Sequence, residues 1–87
     1  MMTDETLLEF PCQFPIKVVT VNDPELEPFI RETLAQHVDM ASVEITIKQS
    51  EKGNYQSFSI LLTAKNKAQL DALYQAFSSN DKVKMVL

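Results

Sequence analysis

The sequence predicts an α+β fold, a two-layer α/β sandwich in which a four-stranded antiparallel sheet carries two helices on one face. Three observations predict it. Four segments are β-branched-rich or alternate apolar and polar residues, as strands do. Two segments between them repeat their apolar residues every 3.6 positions, and each opens on a cap-forming residue. The order is β-α-β-β-α-β, and right-handed crossovers then place both helices on the same side of the sheet.

Residues 1–13 show no clear period and read as an N-terminal leader, with Leu7, Leu8 and Phe10 as its apolar groups. Residues 14–87 read as a single domain. Pro11 and Pro15 bracket Phe14 and hold the chain extended, because proline fixes φ and removes a donor. Ile16–Val21 is β-branched and apolar at both parities, which predicts a strand buried on both faces. Asn22-Asp23-Pro24 ends it. Asp23 suits a helix N-cap and Pro24 the first helical position, where no N–H is needed. Leu26, Phe29, Ile30, Leu34 and Val38 form the helical stripe, while Pro28 either distorts the helix start or moves it to Glu27.

Val43–Lys48 alternates cleanly and predicts a half-buried strand with Val43, Ile45 and Ile47 facing the core. Ser50–Asn54 reads as a turn, with Gly53 at the position of positive φ. Tyr55–Thr63 is the next strand: Phe58, Ile60 and Leu62 share one face, and Tyr55, Ser57, Ser59 and Leu61 the other. Asn66 caps the second helix, with Gln69 at capping-box spacing and Leu70, Leu73, Tyr74 and Phe77 as its stripe. Val83–Leu87 closes the sheet. This is the ferredoxin-like, split βαβ arrangement.

Composition narrows the function. At 45% hydrophobic and 23% charged, the chain has ordinary globular composition and length for one domain. A lone glycine excludes GxGxxG and Walker loops, which need more than one. Cys12 is the single cysteine, so disulfide frameworks and CxxC motifs are excluded. The start, Met1-Met2-Thr3-Asp4-Glu5, lacks the basic and apolar regions of a secretory signal, and no apolar run is long enough to span a bilayer. A cytoplasmic protein without membrane contact is expected.

The net charge of −4 argues against nucleic acid as a partner. Charge is also unevenly spread: Asp23–Asp39 holds five acids and one base, Arg31, and all seven lysines lie outside it.

Strand parity assigns Thr46, Lys48, Tyr55, Ser57, Ser59, Leu61, Lys84, Lys17 and Val19 to the helix-free face. Such a face is either solvated, as in many antiparallel sheets, or a docking surface. Tyr55 is its obvious aromatic, whereas an RNA-reading sheet needs two or three. Cys12 and His37 are the only thiol and imidazole, set in a proline-bounded leader and near a helix C-terminus. Helix-end electrostatics explain the histidine and apolar packing the cysteine. One Cys and one His cannot found a zinc site. No catalytic residue, metal or cofactor is expected, and the chain is not read as an enzyme. The candidate binding residues lie in Ser50–Ser57, where Lys52, Gly53, Asn54, Tyr55 and Ser57 combine a cation, a permissive glycine and hydrogen-bond donors. A small anion or a partner carboxylate suits that loop, and so does a plain hairpin turn.

Leu7–Cys12, Ser50–Ser57 and Val83–Leu87 together resemble, in order and across nearly the whole chain, the YbeD family of small bacterial proteins. The family pattern falls on Lys52, Gly53, Tyr55 and Ser57, and on Phe10 and Pro11 in the leader. The resemblance implies a ferredoxin-like sandwich similar to the ACT regulatory domains that bind amino acids. It also implies an association with lipoate metabolism, and no catalytic residues. ACT domains place a glycine in the loop after the first strand; Asn22–Glu25 has none here. Two functions are therefore expected from different classes. One is a regulatory or adaptor domain acting by protein–protein contact or self-association. The other is an ACT-like sensor of a small metabolite, an amino acid or a lipoate-pathway compound.

Overall fold

The computed structural model describes residues 11–50 and 52–87. The elements are β1 (Cys12–Val21), α1 (Leu26–His37), β2 (Glu44–Gln49), β3 (Tyr55–Ala64), α2 (Lys67–Ser78) and β4 (Val83–Val86), with a 3₁₀ turn at Met40–Ser42. The strands form one antiparallel sheet in the order β2-β3-β1-β4. The expected βαββαβ sandwich is the fold observed.

β1 starts at Cys12, inside the stretch that the sequence assigns to a leader, and pairs with β3 from Cys12↔Ala64 to Val21↔Tyr55. Pro15 sits within this central strand at no cost to the ladder. Lys17 and Leu87 exchange backbone hydrogen bonds of 2.9 and 2.8 Å, so odd-numbered residues of β1 point their N–H groups toward β4. β4 does not reach Pro15, and the missing donor faces no strand there. Residues 1–10 of the predicted leader, Phe10 among them, lie outside the described residues.

α1 begins at Leu26 rather than at Pro24. Asp23 caps the preceding turn: its Oδ1 accepts from Glu25 N–H at 2.9 Å and its carbonyl from Leu26 N–H at 3.0 Å. Pro28 is then the third helical residue, among the first-turn positions whose N–H groups have no intrahelical partner. α2 is capped as predicted, with Asn66 Oδ1 accepting from Gln69 N–H at 2.8 Å. The reciprocal bond from Gln69 reaches one residue past the N-cap rather than to the Asn66 N–H of a capping box. Gln69 Oε1 accepts from Lys65 N–H at 2.7 Å and its Nε2 donates to the His37 carbonyl at 2.6 Å. It thereby ties the start of α2 to the end of α1.

The core lies between the sheet and the helices. Ile16 and Val18 of β1, and Phe58, Ile60, Leu62 and Ala64 of β3, meet Leu26, Ile30 and Leu34 of α1 and Leu70, Leu73 and Phe77 of α2. Phe29 packs edge-on against Phe77, with ring centroids 6.5 Å apart and planes at 70°. Burial pushes the Tyr74 phenol pKa upward. Val43 and Ile45 are partly buried against the core as expected, but Ile47 is 37% exposed because it lies at the sheet margin. Among the described residues, no buried side-chain N or O lacks a hydrogen-bond partner.

Candidate functional site

The helix-free face is built by parity from the odd residues of β1 and β3 and the even residues of β2. Lys17 opposes Ser59, Val19 opposes Ser57, Lys48 opposes Ser57 and Thr46 opposes Ser59. Two adjoining shallow grooves cross this surface, and Lys17 lines both. One, of about 300 Å³, runs between Pro15, Lys17, Glu44, Thr46, Ser59, Leu61 and Leu87. The other, of about 230 Å³, is lined by Lys17, Val19, Lys48, Tyr55 and Ser57, among others. Lys17 and Lys48 make no ion pair with any described residue. The surface is thus mildly basic, with an apolar floor.

Parity reasoning found most of this face and misplaced β4. Lys84 was expected on it, but the β1–β4 register shifts between Val19 and Thr20, with Val19↔Met85 followed by Thr20↔Val83. The bulge leaves Lys84 without a paired place. It lines an edge recess with Tyr74 and Ser78, while Met85, 51% exposed, takes the position opposite Val19. The sequence carried no clear signal of this: Val83, Met85 and Leu87 alternate with period two, and only in the structure do Val83 and Val86, three apart, both pack against the core.

The candidate loop residues separate into groups. Tyr55 and Ser57 lie on β3 and line the smaller groove. Lys52, Asn54, Ser50 and Tyr55 line a further recess of about 320 Å³ at the hairpin. Gly53 has φ +74°, as the turn requires, and its N–H donates to the Ser50 carbonyl at 2.9 Å. Pro11 stands at the far end of β1, roughly 30 Å of strand from the loop, and joins neither groove.

The hairpin is fastened to the β1–α1 loop. Asn22 Nδ2 donates to the Gly53 carbonyl at 2.8 Å, and Gln56 Nε2 donates to the carbonyls of Val21 and Asp23 at 3.3 and 3.1 Å. Lys82 Nζ donates to Asp23 Oδ2 and, at 3.3 Å, to Glu25 Oε2. The Lys82 ammonium, then the Glu25 N–H, hold the Asp23 carboxyl below its ordinary value, and Asp23 and then Glu25 hold the lysine above its own. The polar groups of this loop are therefore already engaged within the chain.

Among the described residues, no group of three or more His, Cys, Asp and Glu is placed to hold a metal, and no helix is long and apolar enough to cross a membrane.

Relatives and structural neighbours agree with this architecture. A Neisseria gonorrhoeae UPF0250 protein is 41% identical over 83 residues, covering 94% of this chain and 91% of that protein. A Yersinia pestis UPF0250 protein is 42% identical over 83 residues, covering 93% and 92%. Protein HP0495 of Helicobacter pylori superposes with a TM-score of 0.76 at 20% identity, over 92% of this chain and 85% of that one. The ACT domain of GTP pyrophosphokinase from Chlorobium tepidum does so with a TM-score of 0.65 at 18% identity, over 86% and 94%. The family described as "Protein of unknown function (DUF493)" matches residues 5–87, the same group as the YbeD proteins the sequence resembles, and the chain belongs to it.

Proposed function

We propose that this protein is a non-catalytic regulatory or adaptor module of the cytosol that acts by protein–protein contact through its helix-free sheet face. The observation that carries the reading is the pairing of unneutralised cations, Lys17 and Lys48, with apolar side chains, Val19, Leu61 and Leu87, around two adjoining grooves, with the exposed Met85 paired beside Val19. Such a face suits a protein segment that presents carboxylates beside apolar residues. The grooves are shallow, and among the described residues no serine lining them hydrogen-bonds a lysine or histidine, which favours docking over catalysis.

The test uses the intact chain as bait in lysate, beside Lys17→Glu and Met85→Asp. Both substitutions fall on exposed side chains and spare the core. Wild type should retain a partner in stoichiometric amount, and each variant should lose most of it. Equal capture by all three chains, or none by wild type, would contradict the reading.

A second reading, a sensor of a small metabolite, is favoured by the recess beside Lys52, Asn54 and Tyr55, which offers a cation and hydrogen-bond donors to an anion. Its discriminator is a thermal-shift panel of amino acids, lipoate and octanoate compounds and nucleotides. A ligand at a hundred times its dissociation constant adds about 2.7 kcal/mol, several degrees in a domain of this size. The sensor reading requires that rise, and its loss on Lys52→Ala.

A further inference from the structure

We propose that the protein pairs with a second copy of itself along the outer edge of β2, antiparallel and centred on Thr46. The inference concerns the sheet margin rather than the grooved face and goes beyond the reading above.

Hydrogen-bond parity fixes which groups that edge offers. Ser50 N–H donates to the Tyr55 carbonyl at 2.9 Å, so the even residues of β2 bond to β3. The N–H and C=O groups of Ile45, Ile47 and Gln49 point outward, and among the described residues no backbone group takes them. The opposite margin of the sheet is blunted, because β4 has four residues and a register shift. β2 has neither proline nor bulge and can accept another strand along its length.

Side chains select the occupant and the register. A two-fold antiparallel pairing that joins the outward groups centres on Ile45, Thr46 or Ile47. Centred on Thr46, Glu44 faces the second copy's Lys48, and Lys48 its Glu44. The other two centres set Thr46 opposite one of these charges and leave the other without its counterpart. Glu44 and Lys48 make no ion pair with any described residue in the single chain. In the Thr46-centred register they occupy non-hydrogen-bonded positions, where cross-strand side chains approach most closely. On the helix side, Ile45 meets the second copy's Ile47, covering a side chain that is 37% exposed in the monomer. A β2 strand of this same sequence thus complements the edge in backbone, charge and apolar surface together.

The first experiment is cross-linking in a Cys12→Ala background. Thr46→Cys sets two thiols across the two-fold axis with Cα atoms about 4.5 Å apart, within disulfide range. Glu44→Cys sets them roughly 13 Å apart. Mild oxidation should dimerise the first variant and spare the second. The second experiment is sedimentation at low salt. Glu44→Lys and Lys48→Glu should each weaken the dimer about tenfold, since both symmetric ion pairs become like-charge pairs, and the double exchange should restore it. A wild type monomeric at millimolar concentration overturns the proposal. So does cross-linking of Thr46→Cys no faster than that of Glu44→Cys, or a double exchange that rescues nothing. Lys17→Glu and Met85→Asp lie off this edge and should keep the dimer. A monomer that still captures its partner sinks this inference alone, whereas a dimer that captures nothing sinks only the sheet-face reading.

Discussion

Replacing Gly53 with alanine isolates a purely conformational cost. A Cβ there meets nothing within 4 Å, so the substitution creates no clash. It does force an L side chain to φ +74°, which is worth about 1 kcal/mol against the fold. Urea unfolding should show that loss for Gly53→Ala and a smaller one for Gly53→Asn, since asparagine tolerates left-handed backbone better. A second residue-scale effect depends on pH. Folding lowers the Asp23 pKa, so its contact with Lys82 contributes stability above the unfolded carboxylate value of about 3.9, and that contribution is lost as pH falls through the folded value. Folding raises the Lys82 pKa, so the same contact persists below the unfolded lysine value of about 10.4 and is lost as pH rises through the folded one. The gap in urea midpoint between wild type and Lys82→Met should be constant across neutral pH. It should narrow at both the acid and the alkaline end. The turn glycine was legible in the sequence; the lysine was not, because Asp23 and Lys82 are 59 residues apart and meet only once β4 is paired.

At the scale of elements, periodicity was the readable part. The stripes of α1 and α2 and the faces of β2 and β3 follow from spacing alone, as the buried set Leu26, Ile30, Leu34, Leu70, Leu73 and Phe77 shows. Three boundaries did not follow from periodicity, two of them set by strand pairing and one by a local turn. β1 extends back to Cys12 because β3 is long enough to pair with it. α1 starts late because Asp23 closes a turn before it. β4 bulges, and Met85 rather than Lys84 reaches the open face. Packing between elements makes its own prediction. Phe77 is fully buried and meets Phe29 edge-on, so Phe77→Ala removes both a core volume and an interhelix contact. The expected loss is about 3–5 kcal/mol. In a domain whose whole stability is on the order of 5–15 kcal/mol, that should leave a weakly cooperative thermal transition.

For the molecule as a whole, the two faces of one sheet divide the labour. The helix side spends its apolar residues on a thin core, and the open side gathers Lys17, Lys48 and Tyr55 with apolar neighbours. Parity made the middle of that open face legible, from Thr46 to Leu61. It missed Glu44, Pro15 and Leu87, since groove boundaries depend on strand order rather than on any one segment, and it missed Met85, which the bulge sets opposite Val19. The candidate loop was placed correctly as a hairpin, yet of its candidate binding residues Lys52, Gly53, Asn54, Tyr55 and Ser57 only the last two reach the groove that Lys17 and Lys48 share. The acidic outer surface of α1 and the cationic sheet face lie on opposite layers of the sandwich, the arrangement that the proposed docking of a carboxylate-bearing partner requires.

The most direct test of docking through the sheet face is quantitative capture by wild type, Lys17→Glu and Met85→Asp at matched folding, verified by equal melting temperatures. The account predicts a partner held by wild type and lost from both variants. Retention of the same partner at the same level by both variants would contradict it.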